Sequence, residues 1–232
     1  MTQLNPANEP IEQASYWSHI DDRIERYTIP PTGLPSGDDI NLSGHTTSRS
    51  ILEVATEHGY LLTDFFRLIN HKRVLDIGGG NSFLQQEANS FGLDTQIVTV
   101  DAPKVYENYR CAQFEENRTV VAGIAQALPF RSASFDLAIS TYALPWYVDA
   151  SAHLDGFFNE ALRVLKPGGK LSITPSYVIG NNDAESKNQL TAHLYKFFKQ
   201  LNDSPDYNIT FHEPYDQPTA SRAPNITVIE KL

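Results

Sequence analysis

The sequence predicts an α/β fold: a doubly wound, seven-stranded, mostly parallel sheet with an antiparallel C-terminal hairpin and an N-terminal helical cap. Three observations carry this reading. From residue 72 onward, short apolar runs alternate with amphipathic segments of helical period. The first of these runs, Arg73-Val74-Leu75-Asp76-Ile77, passes straight into Gly78-Gly79-Gly80 and then a helical segment. The last two runs are joined by polar, Pro-containing sequence with no helical pattern, which predicts an antiparallel pair at a sheet edge.

Taken in order, residues 1–46 are rich in Pro, Gly, Asn and Asp, with one short amphipathic stretch around Tyr16 and Trp17. Residues 47–70 place Ile51, Leu52, Val54, Ala55, Leu61, Leu62, Phe65, Phe66 and Leu68 at roughly helical spacing. The Thr46-Thr47-Ser48 cluster offers N-cap candidates, and Gly59 divides the segment. Residues 1–70 are therefore expected to form a cap or lid, and residues 71–232 the core. Within the core, strands are expected over RVLDIGG, TQIVTVDA, RTVVAGI, FDLAIST, KLSITPS, NITFHE and NITVIEKL. Helices are expected over SFLQQEANSF, VYENYRCAQFEE, HLDGFFNEALRVL and DAESKNQLTAHLYKFFKQL. Lys166-Pro167-Gly168-Gly169 should stop the third of these helices before the next strand.

Composition narrows the function classes. An apolar share of 41% supports a sizeable core. No apolar run is long enough for a transmembrane helix, and the polar N-terminus lacks the pattern of a signal or transit peptide, so a cytoplasmic location is expected. A single cysteine, Cys111, excludes an internal disulfide framework and a cysteine-based zinc site. With 28 acidic and 18 basic side chains the formal charge is −10, and Lys and Arg form no dense run. Phosphate-backbone binding and polybasic membrane anchoring both need such runs, so neither nucleic acid nor a membrane is an expected partner.

The glycine turn lets a ligand approach the backbone closely. It is not a P-loop, because no Gly-Lys-Ser/Thr follows, and Asp76 departs from the usual dinucleotide fingerprint. Asp101 ends the second strand, 25 residues after Asp76. A carboxylate there either accepts both hydroxyls of a ribose or caps the next helix, and the preceding glycine turn favours the ribose. Two further segments follow, Ala125-Gln126-Ala127-Leu128-Pro129-Phe130 with Ser134-Phe135-Asp136-Leu137-Ala138-Ile139-Ser140, and Glu160-Ala161-Leu162-Arg163-Val164-Leu165-Lys166-Pro167-Gly168-Gly169-Lys170-Leu171.

In this order and spacing the four elements resemble a class I S-adenosylmethionine-dependent methyltransferase of small-molecule type, with its Rossmann-like fold. The resemblance covers residues 72 to about 176. It implies S-adenosyl-L-methionine as cofactor, with Gly78 and Gly80 cradling its methionine part and Asp76 facing its ammonium. It further implies Asp101 at the ribose, Ala102 near the adenine, Ile124, Ala125 and Gln126 at the adenine edge, and Ser140 and Thr141 near the reactive methyl. Two positions depart from the family pattern. Ile124 stands where an acidic residue often meets the adenine amino group, and Ser82 replaces the third glycine.

Methyl transfer from a sulfonium is an in-line displacement whose main needs are near-attack geometry and a dry pocket. A general base is needed only for an acceptor that is protonated at attack. His153, at the start of the helix after the fourth strand, is the candidate base, and a solvated helix-start histidine is the alternative reading; His19 and His45 in the cap are weaker candidates. The acceptor pocket is expected from Tyr16 and Trp17 in the cap and from Tyr142, Trp146 and Tyr147 after the fourth strand. Together these features imply methylation of an oxygen or nitrogen of a small molecule; the alternative is a methyltransferase-like binding or scaffolding subunit without catalysis. No metal ligand set stands out.

Overall fold

The computed structural model describes residues 17–18, 20–21, 49–80, 83–101, 119–145, 151–176, 184–212 and 226–232. Seven strands form one sheet: β1 (Arg73–Ile77), β2 (Gln96–Asp101), β3 (Thr119–Ala122), β4 (Phe135–Thr141), β5 (Leu165–Thr174), β6 (Tyr207–His212) and β7 (Ile226–Lys231), in the order β3-β2-β1-β4-β5-β7-β6. Strands β1 to β5 pair in parallel, and β7 runs antiparallel between β5 and the edge strand β6. The expected seven-stranded, mostly parallel sheet with an antiparallel C-terminal pair is thus observed. The order reverses between β2-β1 and β4, so the carboxyl ends of β1 and β4 flank the switch point at which open α/β sheets bind ligands.

Helices α1 (Ile51–Glu57), α2 (Leu62–Ile69) and α3 (Leu84–Ser90) cover one face, and α4 (Ser151–Val164) and α5 (Ala184–Asn202) the other. On the first face Ile51, Val54, Ala55, Phe65 and Ile69 pack in one apolar cluster with Val74, Ile97, Leu137 and Ile139 of the sheet. On the second, Phe157, Phe158, Leu194 and Phe198 pack with Leu75, Val98, Ala138 and Leu171. These strands are apolar on both sides because helices bury both sides.

The structure refines the expectations for residues 47–70. Gly59, at φ +75°, separates α1 from α2. The cap of α1 is Ser50 rather than the Thr46-Thr47-Ser48 cluster: Ser50 Oγ accepts from the Glu53 N–H, and Glu53 reaches back to the Ser50 N–H. A segment at the far N-terminus also joins the second core. Ile20 is fully buried there, and Trp17 stands edge-on to Phe211 of β6 at 4.9 Å.

The Lys166–Gly169 segment does not form a separate stop between helix and strand. α4 ends at Val164 and β5 begins at Leu165, with a register shift in which Phe135 pairs with Leu165 and Leu137 with Lys170. Gly168, at φ +75°, lets the chain bulge within the strand. The expected helix over VYENYRCAQFEE, with Cys111, lies outside the described residues.

Candidate cofactor site

At the carboxyl edge, β1 ends in the glycine turn, with Gly78 at φ +70° and Gly80 at φ +56°. A Cβ on Gly79 would lie 2.0 Å from Asp76 Oδ2 and 2.8 Å from Thr99 Cγ2, so the turn folds directly over the Asp76 carboxylate. Asp76 itself is 3% exposed, and Thr99 Oγ1 donates to it at 3.4 Å. Asp101 Oδ2 accepts the Gly80 N–H at 2.8 Å, which ties the second strand's terminal carboxylate to the same turn. Gly123 N–H donates to the Asp101 carbonyl at 2.9 Å and brings the segment after β3 alongside.

β4 closes the other side of the switch point. Ser140 is fully buried; its hydroxyl donates to the Ile77 carbonyl at 3.3 Å and accepts the Leu144 N–H at 3.1 Å. Thr141 is buried and its hydroxyl meets His58 Nε2 at 3.0 Å. Tyr142 adopts φ +47°, donates its N–H to the Thr174 carbonyl at 2.7 Å, and stands 38% exposed. The Arg49 guanidinium lies 5.2 Å from the centre of its ring.

Of the residues expected at the cofactor, the structure brings Asp76, Gly78, Gly80, Asp101, Ser140 and Thr141 to this one edge. Ile124 makes a bridge to Ala127, and Ala125 is buried in the second core. The Gln126 stem lies beside Gly156 of α4, where a Cβ would meet it at 3.2 Å. His153 sits half-buried in the first turn of α4. Trp17 is three strands from β4 in the sheet order, against β6. Ala102, Tyr16, Trp146, Tyr147, Ser82, His19 and His45 lie outside the described residues.

The remaining motif residues brace the site. Glu160 accepts the Leu128 N–H at 2.8 Å, and Arg163 Nε meets Glu160 Oε1 at 2.6 Å. Arg163 also donates to the Phe130 carbonyl at 2.9 Å and the Leu128 carbonyl at 3.1 Å. The bond from Arg163 holds the Glu160 carboxyl below its usual range despite partial burial. This clamp fixes the loop that follows Ile124–Gln126. We expect Arg163→Ala to lower unfolding stability by about 2–3 kcal/mol, from several bonds lost at once; a urea midpoint reads this. Asp136 has a parallel role. Burial would raise its carboxyl, but the Lys166 ammonium, at 2.9 Å from both oxygens, and the Arg73 N–H at 2.8 Å outweigh it and hold the carboxyl low.

His58 is the residue that sequence reading missed. It follows α1, is 2% exposed, and bridges Ser172 Oγ at 2.7 Å through Nδ1 and Thr141 Oγ1 at 3.0 Å through Nε2. Desolvation first, and the Arg49 charge second, push its imidazole down to about 3. It is therefore neutral at physiological pH and too weak a base for proton abstraction. In the unfolded chain it protonates near pH 6.5. Between these values the unfolded state binds more protons, so the contribution is complete above pH 6.5 and is lost as pH falls toward 3. We expect stability to drop with a slope of up to about 1.4 kcal/mol per pH unit in that window, a component absent from His58→Gln. Denaturant midpoints at pH 7, 6, 5 and 4 test it.

A buried carboxylate under a glycine turn and a strand-end carboxylate tied to that turn, at the switch point of the sheet, suit a nucleoside that carries a charged amino-acid arm. Residues 75–173 match the family of methyltransferase domains. Asp76, the glycine turn and Asp101 all lie inside this segment, which is similar to methyltransferase domains. Among curated proteins, the chain is 32% identical over 108 residues to the ubiquinone/menaquinone biosynthesis C-methyltransferase UbiE of Ruegeria, covering 44% of this chain and 41% of that protein. It is 30% identical over 100 residues to the malonyl-[acyl-carrier protein] O-methyltransferase of Hahella chejuensis, covering 42% and 34%. A solved SAM-dependent methyltransferase from Aquifex aeolicus shares 15% identity over 73% of this chain and 86% of that one, with a TM-score of 0.46. The chain spans a fifth to just over half of the length of the first curated relatives it matches.

Proposed function

We propose that this protein transfers a methyl group from S-adenosylmethionine to an oxygen or nitrogen of a small-molecule acceptor. The observation that carries the reading is the junction of the glycine turn with two carboxylates, Asp76 beneath it and Asp101 bound to it. When bound, the cofactor supplies an electrophilic methyl on a sulfonium. The chain's own work is to bind and orient. Asp76 offers a buried negative charge to an ammonium, and Asp101 offers carboxylate oxygen to a ribose diol. Gly78 and Gly80 adopt the left-handed backbone that shapes the turn proposed to hold the methionine part of the cofactor. Ser140 and Thr141, with Tyr142, border the acceptor side, and the partly exposed aromatic ring of Tyr142 suits a planar or apolar acceptor. His153 is the candidate to take a proton from a hydroxyl acceptor.

The acidic charge balance supports a small-molecule acceptor over nucleic acid or a membrane surface, and a cytoplasmic site of action belongs to the same proposal. No helix of the described residues is long and apolar enough to cross a membrane. A cap over the acceptor from within residues 1–70 is part of this proposal, apart from α1 and α2, which pack on the sheet, and Trp17, which packs against β6. A carbon acceptor is the second reading, favoured by relatives named as C-methyltransferases.

The test is transfer of label from methyl-tritiated S-adenosylmethionine to a panel of small hydroxyl, amine and activated-methylene compounds, with Asp101→Ala as control. Labelled hydroxyl or amine products support the first reading. Label on carbon acids alone supports the second. No transfer to any class by protein that binds the cofactor contradicts both and leaves the non-catalytic subunit.

A further inference from the structure

The buried polar side chains on the α1 side of the sheet gather at its carboxyl edge. Asp76, Thr99 and Thr141 each follow, by two positions, a residue of the apolar cluster on that face: Val74, Ile97 and Ile139. Ser172 and Thr174 pair with Ile139 and Thr141 across the β4–β5 ladder and complete the belt. Burying such groups is costly unless each is bonded. His58 enters the belt from outside the sheet and bonds one hydroxyl on β4 and one on β5, across sequence separations of 83 and 114 residues.

Thr141 is the last residue of β4, and the chain beyond it reaches the cofactor turn within two residues. Tyr142 turns left-handed, and Ala143 then lies against Gly78, where an added Cβ would come within 2.3 Å of the Ala143 Cβ. The corner Thr141–Ala143 is thus one wall of the glycine turn. Bonds from both faces help to hold it: Ser140 Oγ to the Leu144 N–H from one sheet face, the Tyr142 N–H to Thr174, and His58 Nε2 to Thr141 from the other face. We infer that His58 is a positioning residue for the cofactor site, holding the Thr141–Ala143 corner against the glycine turn through its Nε2 bond to Thr141. The Nδ1 bond to Ser172 serves only to orient the ring. This role rests on the cofactor reading of the glycine turn.

The two ring nitrogens are separable by substitution. An Asn side chain places its amide near the Nδ1 position and a Gln near the Nε2 position. The experiment measures the dissociation constant for S-adenosylhomocysteine by calorimetry, and the melting temperature, for wild type, His58→Asn, His58→Gln, Thr141→Val and Ser172→Ala. His58→Asn and Thr141→Val are expected to bind about tenfold more weakly, while His58→Gln and Ser172→Ala stay within about twofold of wild type even where they melt earlier, the size and selectivity of one buried hydrogen bond. Thr141→Val keeps shape and apolar packing, so it carries the test if His58→Asn fails to fold. Equal binding by all variants, or losses that follow melting temperature instead of the Thr141 bond, would overturn the inference. A folded wild type that does not bind S-adenosylhomocysteine would instead remove the cofactor reading itself.

Discussion

Asp101→Ala is expected to weaken binding of S-adenosylhomocysteine by about a hundredfold, the loss of two charge-assisted hydrogen bonds. The carboxylate has two tasks in the geometry. One oxygen accepts the Gly80 N–H and so shapes the turn; the second task, accepting from a ribose diol, is the proposed one. Asp101→Asn separates the two. Its amide oxygen can still accept from Gly80, but its NH₂ cannot accept from a hydroxyl. It should therefore hold the turn and still lose most of the affinity. Calorimetric titration of both variants reads the difference, and an asparagine variant that binds like wild type would remove Asp101 from the ribose.

Gly79→Ala is expected to abolish measurable binding while the protein stays folded. The new methyl would stand 2.0 Å from Asp76 Oδ2 and 2.5 Å from its Cγ. Something must move, and the side chain is the softest part of the contact. Displacing it takes the buried carboxyl from beneath the turn, which removes the partner proposed for the ammonium. Gly78→Ala is worse placed for folding, because φ +70° and the Ala143 contact at 2.3 Å both oppose a side chain. Circular dichroism with the titration distinguishes a folded protein without a site from an unfolded one. Wild-type affinity in Gly79→Ala would contradict the role given to Asp76.

The legible parts of the fold were those with local signals. Strands such as Gln96–Asp101 and Phe135–Thr141 are apolar runs bounded by turn residues, and the glycine turn announces itself. The end of α4 was less legible. Lys166-Pro167-Gly168-Gly169 reads as a stop, yet its residues belong to a bulged start of β5, because Lys166 is needed at Asp136 of β4. That requirement lies 30 residues away in sequence. The motif residues Glu160, Arg163 and Asp136 were visible as letters, but their bracing of the loop and strand was not.

His58 left no trace in the sequence. A histidine beside Gly59 reads as an exposed turn residue, and only the fold brings it between Thr141 and Ser172. Trp17 shows the converse. It is expected in the acceptor pocket, and its ring packs edge-on to Phe211 at the far side of the sheet. Long-range packing decides both cases, and neither helical period nor residue type encodes it.

The most direct measurement is calorimetric titration of the purified protein with S-adenosylhomocysteine, with NADH in parallel and Asp101→Ala as the site control. Micromolar binding of S-adenosylhomocysteine is expected, with no binding of NADH and loss in the variant. A folded protein that ignores S-adenosylhomocysteine, or that binds it equally well without the Asp101 carboxylate, would contradict the assignment of this edge of the sheet as the cofactor site.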